Sequence, residues 1–201
     1  RGLGDVYKRQ DIDFFPLVLS YGIITMDSFE LYIDEKKLDD KLKAKLAKDG
    51  VNLHPYNDIY EDVKKFGSDV VAMIDPGKLN YALFNNIPEN VKTVEKRNPA
   101  ILMKAIKNPV EIENIRKAQI KDSVAHVRFM KWLKENVGKM RITEMSASDK
   151  LDEFRAEMGN FIRPSFEPIS SFGEHGAIVH YTSSPETDVE LKEGQLFLTD
   201  T

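Results

Sequence analysis

Residues 108–111, with the sequence Asn-Pro-Val-Glu, constrain the fold of this chain more than any other segment. Asn is favoured immediately before a helix, Pro is favoured at the first helical position, and Glu three residues after the Asn can complete a capping box. The segment predicts a helix that begins at Pro109, runs to about Asn136 and ends at Gly138. Its apolar side is predicted to consist of Ile112, Ile115, Ile120, Val124, Val127 and Leu133.

Before this helix, short apolar runs alternate with helical patterns, which indicates an α/β domain over about residues 11–100. Strands are predicted at residues 17–19 and 23–25 (both buried), 29–33 (half-buried), 51–53, 69–75 and 91–94. We expect Asp34 to cap a first helix that ends before Gly50 and carries Leu38, Leu42 and Leu46 on one face. Two further helices are predicted, at residues 57–66 and from Pro76 through Leu79, Tyr81 and Leu83.

After the long helix the pattern changes towards strands. Thr143 is expected to cap a second helix that ends at Gly159 and buries Met145, Leu151, Phe154 and Met158. Strands are predicted at residues 169–172, 177–180 and 195–199, with turns at 173–176 and 192–194. Two helices followed by antiparallel strands indicate an α+β domain.

The composition is that of a soluble globular protein, with 41% hydrophobic and 31% charged residues and a net charge of −4. No basic stripe marks a nucleic-acid-binding surface, and no apolar run reaches the ~20 residues of a membrane span. We therefore expect no nucleic-acid or membrane partner and a cytoplasmic location. Because cysteine is absent, a metal ion would be bound by Asp, Glu and His, which suits Mn, Co or Zn.

His180 and Asp200 are the residues that could carry chemistry, since each lies at or near the end of a predicted strand. An imidazole and a carboxylate on two strands could face one pocket. The same pattern also fits an ordinary strand histidine and a turn-forming aspartate, so the residues alone leave both readings open. We predict that His54 and His126 are structural or exposed and that His175 faces solvent.

Several segments nevertheless resemble one family, the Xaa-Pro aminopeptidases (aminopeptidase P), which are metal-dependent enzymes with the pita-bread fold. In the catalytic part, the similar segments occur in the family's order and spacing: residues 108–113, 116–118, 142–144, 151–155, 164–166, 169–170, 176–181 and 198–201. Upstream, residues 16–21, 56–60 and 79–83 resemble the middle domain of the three-domain cytosolic form.

The resemblance implies a creatinase N-terminal-like α/β domain at residues 11–107 and the truncated N-terminal part of an α+β pita-bread metallopeptidase domain at residues 108–201. It implies that His180 binds substrate or stabilises developing charge near the scissile bond, and that Asp200 is the first metal ligand. The cofactor would be two divalent ions, Mn²⁺ or else Zn²⁺ or Co²⁺. The substrate would be a peptide with proline at its second position, and the full-length enzyme would be a homodimer.

The ends of the chain carry two further expectations. The simplest back-translation of residues 5–10 looks like a transposase-end sequencing adapter, so residues 1–10 are predicted to be an assembly artefact. The other metal ligands of the family would follow Thr201, so we expect this chain to be a piece of a longer protein and to be inactive alone.

Two other functions remain open at this stage. One is a different pita-bread hydrolase, similar to prolidase or creatinase. The other is a non-catalytic pita-bread protein that binds peptides or histones.

Overall fold

A computed structural model describes residues 11–15 and 17–201, and the predicted adapter segment, residues 1–10, lies outside the described residues. The chain divides into two compact units, the first ending at Ile106 and the second consisting mainly of residues from Lys107 onwards. Within the described residues, no helix combines the length and the apolar character needed to cross a membrane.

The first unit contains two small sheets. Its three-stranded sheet has the order β1 (Ser20–Ile24), β2 (Phe29–Ile33) and β3 (Val51–Pro55), with β1–β2 antiparallel and β2–β3 parallel. A parallel pair consists of β4 (Val71–Ile74) and β5 (Lys92–Glu95). Both parallel pairs are connected through helical segments, because parallel strands need a long crossover. The predicted α/β character is confirmed.

The three helices predicted for this unit start later than the sequence suggests, and a fourth, α4 (Pro99–Ala105), was not predicted. The three are α1 (Asp40–Lys48), α2 (Ile59–Asp62) and α3 (Tyr81–Asn86). Asp34 caps only a 3₁₀ turn, Glu35–Lys37, so placing Leu38 on the first helix was wrong. The α-helix begins after Asp39, whose side chain accepts a hydrogen bond from the Leu42 N–H.

Two other helix predictions also need correction. The predicted helix at 57–66 is one short α-helix, α2, between the 3₁₀ turns Tyr56–Asp58 and Val63–Lys65. The helix expected from Pro76 begins only at Tyr81, because Asn80 is the residue whose side chain caps it.

The core of the first unit lies on one face of the three-stranded sheet. It consists of Tyr32, Ile59, Val63 and Leu83, with Tyr21 and Ile23 of β1 packed against it. The buried strand predicted at residues 17–19 was wrong, since these residues form no strand and Leu19 is 53% exposed. The run 23–25 is not buried throughout, since Ile24 is 76% exposed. The physical reason is that β1 is an edge strand of which alternate side chains, Tyr21 and Ile23, reach the core.

Asn80 connects three elements of this unit. Its Oδ1 accepts a hydrogen bond from the Leu83 N–H at the start of α3, at 2.9 Å. Its Nδ2 donates to the hydroxyl of Tyr21 on β1 at 2.8 Å and lies 3.3 Å from the hydroxyl of Tyr60 on α2. The two hydroxyls are 3.1 Å apart, so one side chain satisfies a helix end and a pair of tyrosines.

We expect Asn80→Ala to lower the free energy of unfolding of the first unit by about 2 kcal/mol, from the lost cap and the lost side-chain hydrogen bonds. Urea denaturation followed by circular dichroism measures this loss. Asn90→Ala is the matched control, because Asn90 is exposed in the turn before β5. Equal stability of the two variants would contradict the assigned role of Asn80.

Glu30 on β2 is surrounded by hydrogen-bond donors. Hydrogen bonds from Ser28, His54 and Asn52 hold the pKa of its carboxyl at about 2, below its usual value of 4.5. His54 Nε2 lies 2.6 Å from Glu30 Oε2, and the His54 ring stacks on Tyr32 with ring centroids 4.8 Å apart. His54 therefore has a structural role, in line with the sequence-based prediction.

A depressed carboxyl pKa stabilises the folded state above the unfolded pKa, and this contribution disappears as the pH falls through the folded pKa. We therefore expect Glu30→Gln to lower the melting temperature at pH 6, with a difference from the parent chain that shrinks between about pH 4.5 and pH 2. Thermal melts across this range test the expectation, with Glu89→Gln, at an exposed position, as the control. A difference that is independent of pH would refute it.

The second unit follows the sequence-based expectation closely at its start. Helix α5 (Pro109–Asn136) carries the predicted capping box: Asn108 Oδ1 accepts from the Glu111 N–H at 2.9 Å, and Glu111 Oε2 accepts from the Asn108 N–H at 2.8 Å. Thr143 caps α6 (Glu144–Glu157), and β6 (Ile169–Phe172) pairs antiparallel with β7 (Phe197–Asp200). The core residues are Ala125, Phe129, Ile142, Ala147, Leu151, Phe154, Phe172 and Leu191.

Helix α5 presents Ala125 and Phe129 to this core, and Leu133 packs beside them. The remaining predicted apolar residues lie largely outside it, and Ile120 for example is 66% exposed. The apolar side of α5 is thus wider than the part of it that packs against the core of the second unit.

Candidate active site

His180 lies on a loop and not on a strand. The strand predicted at residues 177–180 was wrong, because Gly173–Ala177 form a 3₁₀ turn and His180 follows in a further turn. The φ angle of His180 is +56°, in the left-handed region that few non-glycine residues adopt. Its side chain is exposed, so the loop presents an imidazole to solvent from a backbone conformation that surrounding contacts must fix.

Asp200 is the last residue of β7, as predicted. Its backbone pairs with Ile169 of β6, and its side chain is exposed. No hydrogen bond or ion pair to its carboxylate is found among residues 11–15 and 17–201. The carboxylate is therefore available as an oxygen ligand.

Arg155 of α6 fixes the residue that follows Asp200. This guanidinium is 7% exposed. It donates from Nη2 to Thr201 Oγ1 at 2.8 Å, from Nε to Asp122 Oδ1 at 2.8 Å and from Nη1 to Asp152 Oδ1 at 3.2 Å. Burial raises the pKa of the Asp152 carboxyl above its usual value, and Arg155 acts in the opposite direction. Arg155 thus links α5, α6 and the end of β7.

A second polar cluster lies at the other end of α6. Glu144 is fully buried, and its carboxylate accepts hydrogen bonds from His175 Nδ1 at 2.9 Å and from the Tyr181 hydroxyl at 3.0 Å. Burial raises the pKa of Tyr181 above its usual value, and the Glu144 carboxylate adds to this rise while Thr187 opposes it. The prediction that His175 faces solvent was wrong, because the buried carboxylate draws this imidazole inwards.

The described residues supply part of a metal-binding donor set. Among them, no three His, Asp or Glu side chains lie close enough together to hold a metal ion. Asp200 fits one oxygen ligand of a divalent cation, since it is exposed and has no competing partner in the described part of the chain. His180 and Asp200 are both in the second unit, as the sequence suggests.

Comparison with known protein families identifies the family to which the chain belongs. Residues 9–111 match the creatinase/prolidase N-terminal domain, and residues 113–201 match metallopeptidase family M24. The chain belongs to the M24 metallopeptidases with a creatinase/prolidase N-terminal domain. Its fold is accordingly a creatinase N-terminal domain followed by the start of a pita-bread domain, as predicted.

Similar M24 proteins are named Xaa-Pro aminopeptidases. A probable Xaa-Pro aminopeptidase P of Neurospora crassa is 36% identical over 185 residues, which are 87% of this chain and 27% of that protein. The Xaa-Pro aminopeptidase 1 of Dictyostelium discoideum is 35% identical over 200 residues, 96% of this chain and 31% of that protein. The chain thus spans about a third of the length of the curated relatives that it matches.

Solved structures of the family show the same fold. The X-prolyl aminopeptidase of Caenorhabditis elegans, described as a cytosolic enzyme with a di-nuclear active site, superposes with a TM-score of 0.85 at 29% identity. The match covers 94% of this chain and 32% of that one. The Xaa-Pro dipeptidase of Bacillus anthracis, at 17% identity and a TM-score of 0.62, shows similarity of fold alone.

Sequence reasoning missed Glu144 and Arg155. Both occur in segments that resemble the aminopeptidases, but a glutamate in the first turn of a helix and an arginine in its last turn are ordinary helix residues. Only the three-dimensional structure shows that both side chains are buried and bonded to distant segments.

We expect Arg155→Ala to lower the free energy of unfolding by about 2 to 4 kcal/mol, because it leaves neighbouring carboxylates without their buried partner. Chemical denaturation monitored by Trp132 fluorescence is suitable, since this tryptophan packs against the core of the second unit. Arg116→Ala, on the exposed surface of α5, is the control. If both variants unfold at the same denaturant concentration, Arg155 does not hold this unit together.

Proposed function

We propose that the protein is a metal-dependent aminopeptidase that hydrolyses the bond between an N-terminal residue and a proline at position two. The observation that carries the proposal is the 33–36% identity, over most of this chain, to relatives named Xaa-Pro aminopeptidases. The match to the X-prolyl aminopeptidase of C. elegans over 94% of the chain supports it.

In this proposal, His180 contacts the substrate. An exposed imidazole can donate a hydrogen bond to a peptide carbonyl and can stabilise negative charge that develops there. Its presentation from a fixed loop favours such a role, because a donor aimed in advance needs no rearrangement during the reaction.

Asp200 is proposed as the first ligand of a centre of two divalent cations, with the remaining ligands after Thr201. Asp200 contributes an oxygen donor, which suits Mn²⁺, with Zn²⁺ and Co²⁺ as the alternatives. Bound cations of this kind polarise the scissile carbonyl and lower the pKa of a water molecule. The residues of this chain would hold one side of the centre and orient the peptide.

Proline gives such an enzyme a distinct task. Its nitrogen has no hydrogen to donate, and its ring fixes the backbone φ angle. A pocket must therefore recognise the ring shape in place of the missing N–H, which separates this activity from that of general aminopeptidases.

The two alternative functions are less well supported. The solved prolidases and dipeptidases that this chain resembles are 17–24% identical, which indicates a common fold and not a common substrate. A non-catalytic peptide- or histone-binding protein would have no need of an exposed carboxylate at the position of Asp200, which has no hydrogen-bond or ion-pair partner among the described residues.

Location and assembly follow from the same proposal. We propose a cytoplasmic enzyme, supported by the description of the C. elegans relative as cytosolic. We also propose that the full-length enzyme is a homodimer and that its partners are peptides, with neither nucleic acid nor membrane among them.

The complete protein, loaded with Mn²⁺, is expected to release the first residue from an Xaa-Pro peptide. Asp200→Ala should abolish tight binding at one metal position, because it removes an oxygen ligand. His180→Ala should lower kcat by about 100-fold, as loss of a transition-state hydrogen bond does, while metal content stays near that of the parent. Metal content is measured by elemental analysis and turnover by release of the free amino acid.

The 201-residue chain, assayed in parallel, is expected to release nothing, because its described residues contain no group of three metal-ligating side chains. Release by the 201-residue chain, or loss of metal from the His180 variant, would show that the roles are assigned wrongly. Absence of Xaa-Pro hydrolysis by the complete, metal-loaded protein would refute the proposed function.

A further inference from the structure

We propose that Glu144 is a positioning residue for His180, acting through the two residues that flank the His180 loop, residues 176–180. The inference deepens the proposed function, since it rests on the role given there to His180. The Glu144 cluster is defined here as Glu144, His175 and Tyr181.

The cluster closes the base of the His180 loop. His175 precedes the loop and Tyr181 follows it, and both side chains bind one carboxylate: His175 Nδ1 is 2.9 Å from Oε1 and 3.1 Å from Oε2, and the Tyr181 hydroxyl is 3.0 Å from Oε2. Their rings stack on each other with centroids 4.4 Å apart. The two ends of the loop are thereby held together.

The carboxylate is itself fixed from outside the loop. Glu144 Oε1 accepts a hydrogen bond from the Phe172 N–H of β6 at 2.5 Å, and the Ser170 hydroxyl donates to the Glu144 backbone carbonyl at 2.6 Å. Both serine and glutamate are buried. The base of the loop is therefore hydrogen-bonded, through Glu144, to strand β6 of the second unit.

Two of the hydrogen bonds to the Glu144 carboxylate have a fixed direction. The Phe172 N–H and the Tyr181 hydroxyl donate to it, because a carboxylate oxygen accepts hydrogen bonds. Two backbone bonds continue this order into the loop, from the Ile178 N–H to the His175 carbonyl at 3.1 Å and from the Tyr181 N–H to the Ile178 carbonyl at 3.2 Å.

His180 needs such support because no hydrogen bond, ion pair or ring contact of its side chain is found among residues 11–15 and 17–201. It is exposed, and its backbone has the left-handed φ of +56°, a conformation that persists only where neighbouring contacts impose it. Tyr181, directly after it, is buried and bonded, so the cluster is placed to impose both the conformation and the direction of the imidazole.

A purely structural role for Glu144 would predict lower stability without a specific effect on His180. Nuclear magnetic resonance of the 201-residue chain separates the two roles, because the chain has only four histidines. The informative variants are Glu144→Gln, which removes the charge, and Tyr181→Phe, which removes a single oxygen and keeps the ring that stacks on His175. Tyr60→Phe, which removes a bonded tyrosine hydroxyl from the first unit, is the matched control.

We expect both cluster variants to speed hydrogen exchange of the Ile178 and Tyr181 amides, which are bonded to the carbonyls of His175 and Ile178, by about tenfold or more, as loss of local order does. The ring resonances of His175 and His180 should shift, while those of His54 and His126 stay in place. The Tyr60 control should leave the loop unchanged. Unchanged loop exchange and unchanged His180 resonances in folded Tyr181→Phe would overturn the inference, whatever happens to Glu144→Gln.

Kinetics of the complete enzyme test the same inference at the level of turnover. Tyr181→Phe should lower kcat by about 10- to 100-fold through misplacement of His180, with metal content unchanged. Added to His180→Ala, it should cause no further loss, because residues that act through one another are not additive.

Effects of Tyr181→Phe and His180→Ala that multiply in full would overturn the positioning role and leave the proposed function standing. If the complete enzyme hydrolyses no Xaa-Pro peptide, the proposed function fails, and the exchange and resonance measurements still decide whether Glu144 fixes the loop.

Discussion

The buried carboxylate of Glu144 is the interaction on which the second unit depends. A charge removed from water is costly unless hydrogen bonds replace its hydration, and here the bonds come from Phe172, His175 and Tyr181. The same turn of α6 binds the segment that leads to β7, through the Glu144 N–H to the Val189 carbonyl at 3.1 Å. With the Ser170 hydroxyl on the Glu144 backbone carbonyl, five points of the chain beyond α6 thus converge on one residue, which determines how the irregular region between β6 and β7 is arranged.

Each end of helix α6 holds a residue that lies next to one of the two candidate site residues. Glu144 in its first turn holds the neighbours of His180, and Arg155 in its last turn holds Thr201, the neighbour of Asp200. The two anchors are separated by about 16 Å along the helix axis at 1.5 Å per residue. Because a packed helix does not stretch, this separation is a fixed distance against which the His180 loop and the end of β7 are placed. The capping box at Thr143 therefore matters for the site as well as for the helix, since it sets where α6 begins.

The sequence predicted best where local signals act alone. The start of α5 needs only Asn108, Pro109 and Glu111, and the structure has the expected capping box. Reasoning failed where two local signals compete, as at Asp34, where the later cap Asp39 starts the α-helix. It failed again where a residue distant in sequence determines the backbone conformation. Residues 177–180 have strand-like composition, but the hydrogen bonds of His175 and Tyr181 to Glu144 hold this segment in a turn. A helix start is encoded within four residues, whereas a loop of this kind is encoded by a residue more than thirty positions away.

Exposure and order are conflicting demands on residues that meet a substrate. A buried side chain is fixed by its own packing, but His180 and Asp200 are exposed, as the roles proposed for them require. In both cases the neighbouring residue supplies the order instead: Tyr181 is buried against Glu144, and Thr201 is bonded to Arg155. The left-handed backbone of His180 lies directly before Tyr181, the residue that the Glu144 carboxylate holds. An exposed side chain cannot be held in place by its own packing. Here each exposed candidate residue is held through a neighbour that is hydrogen-bonded to a buried charged side chain.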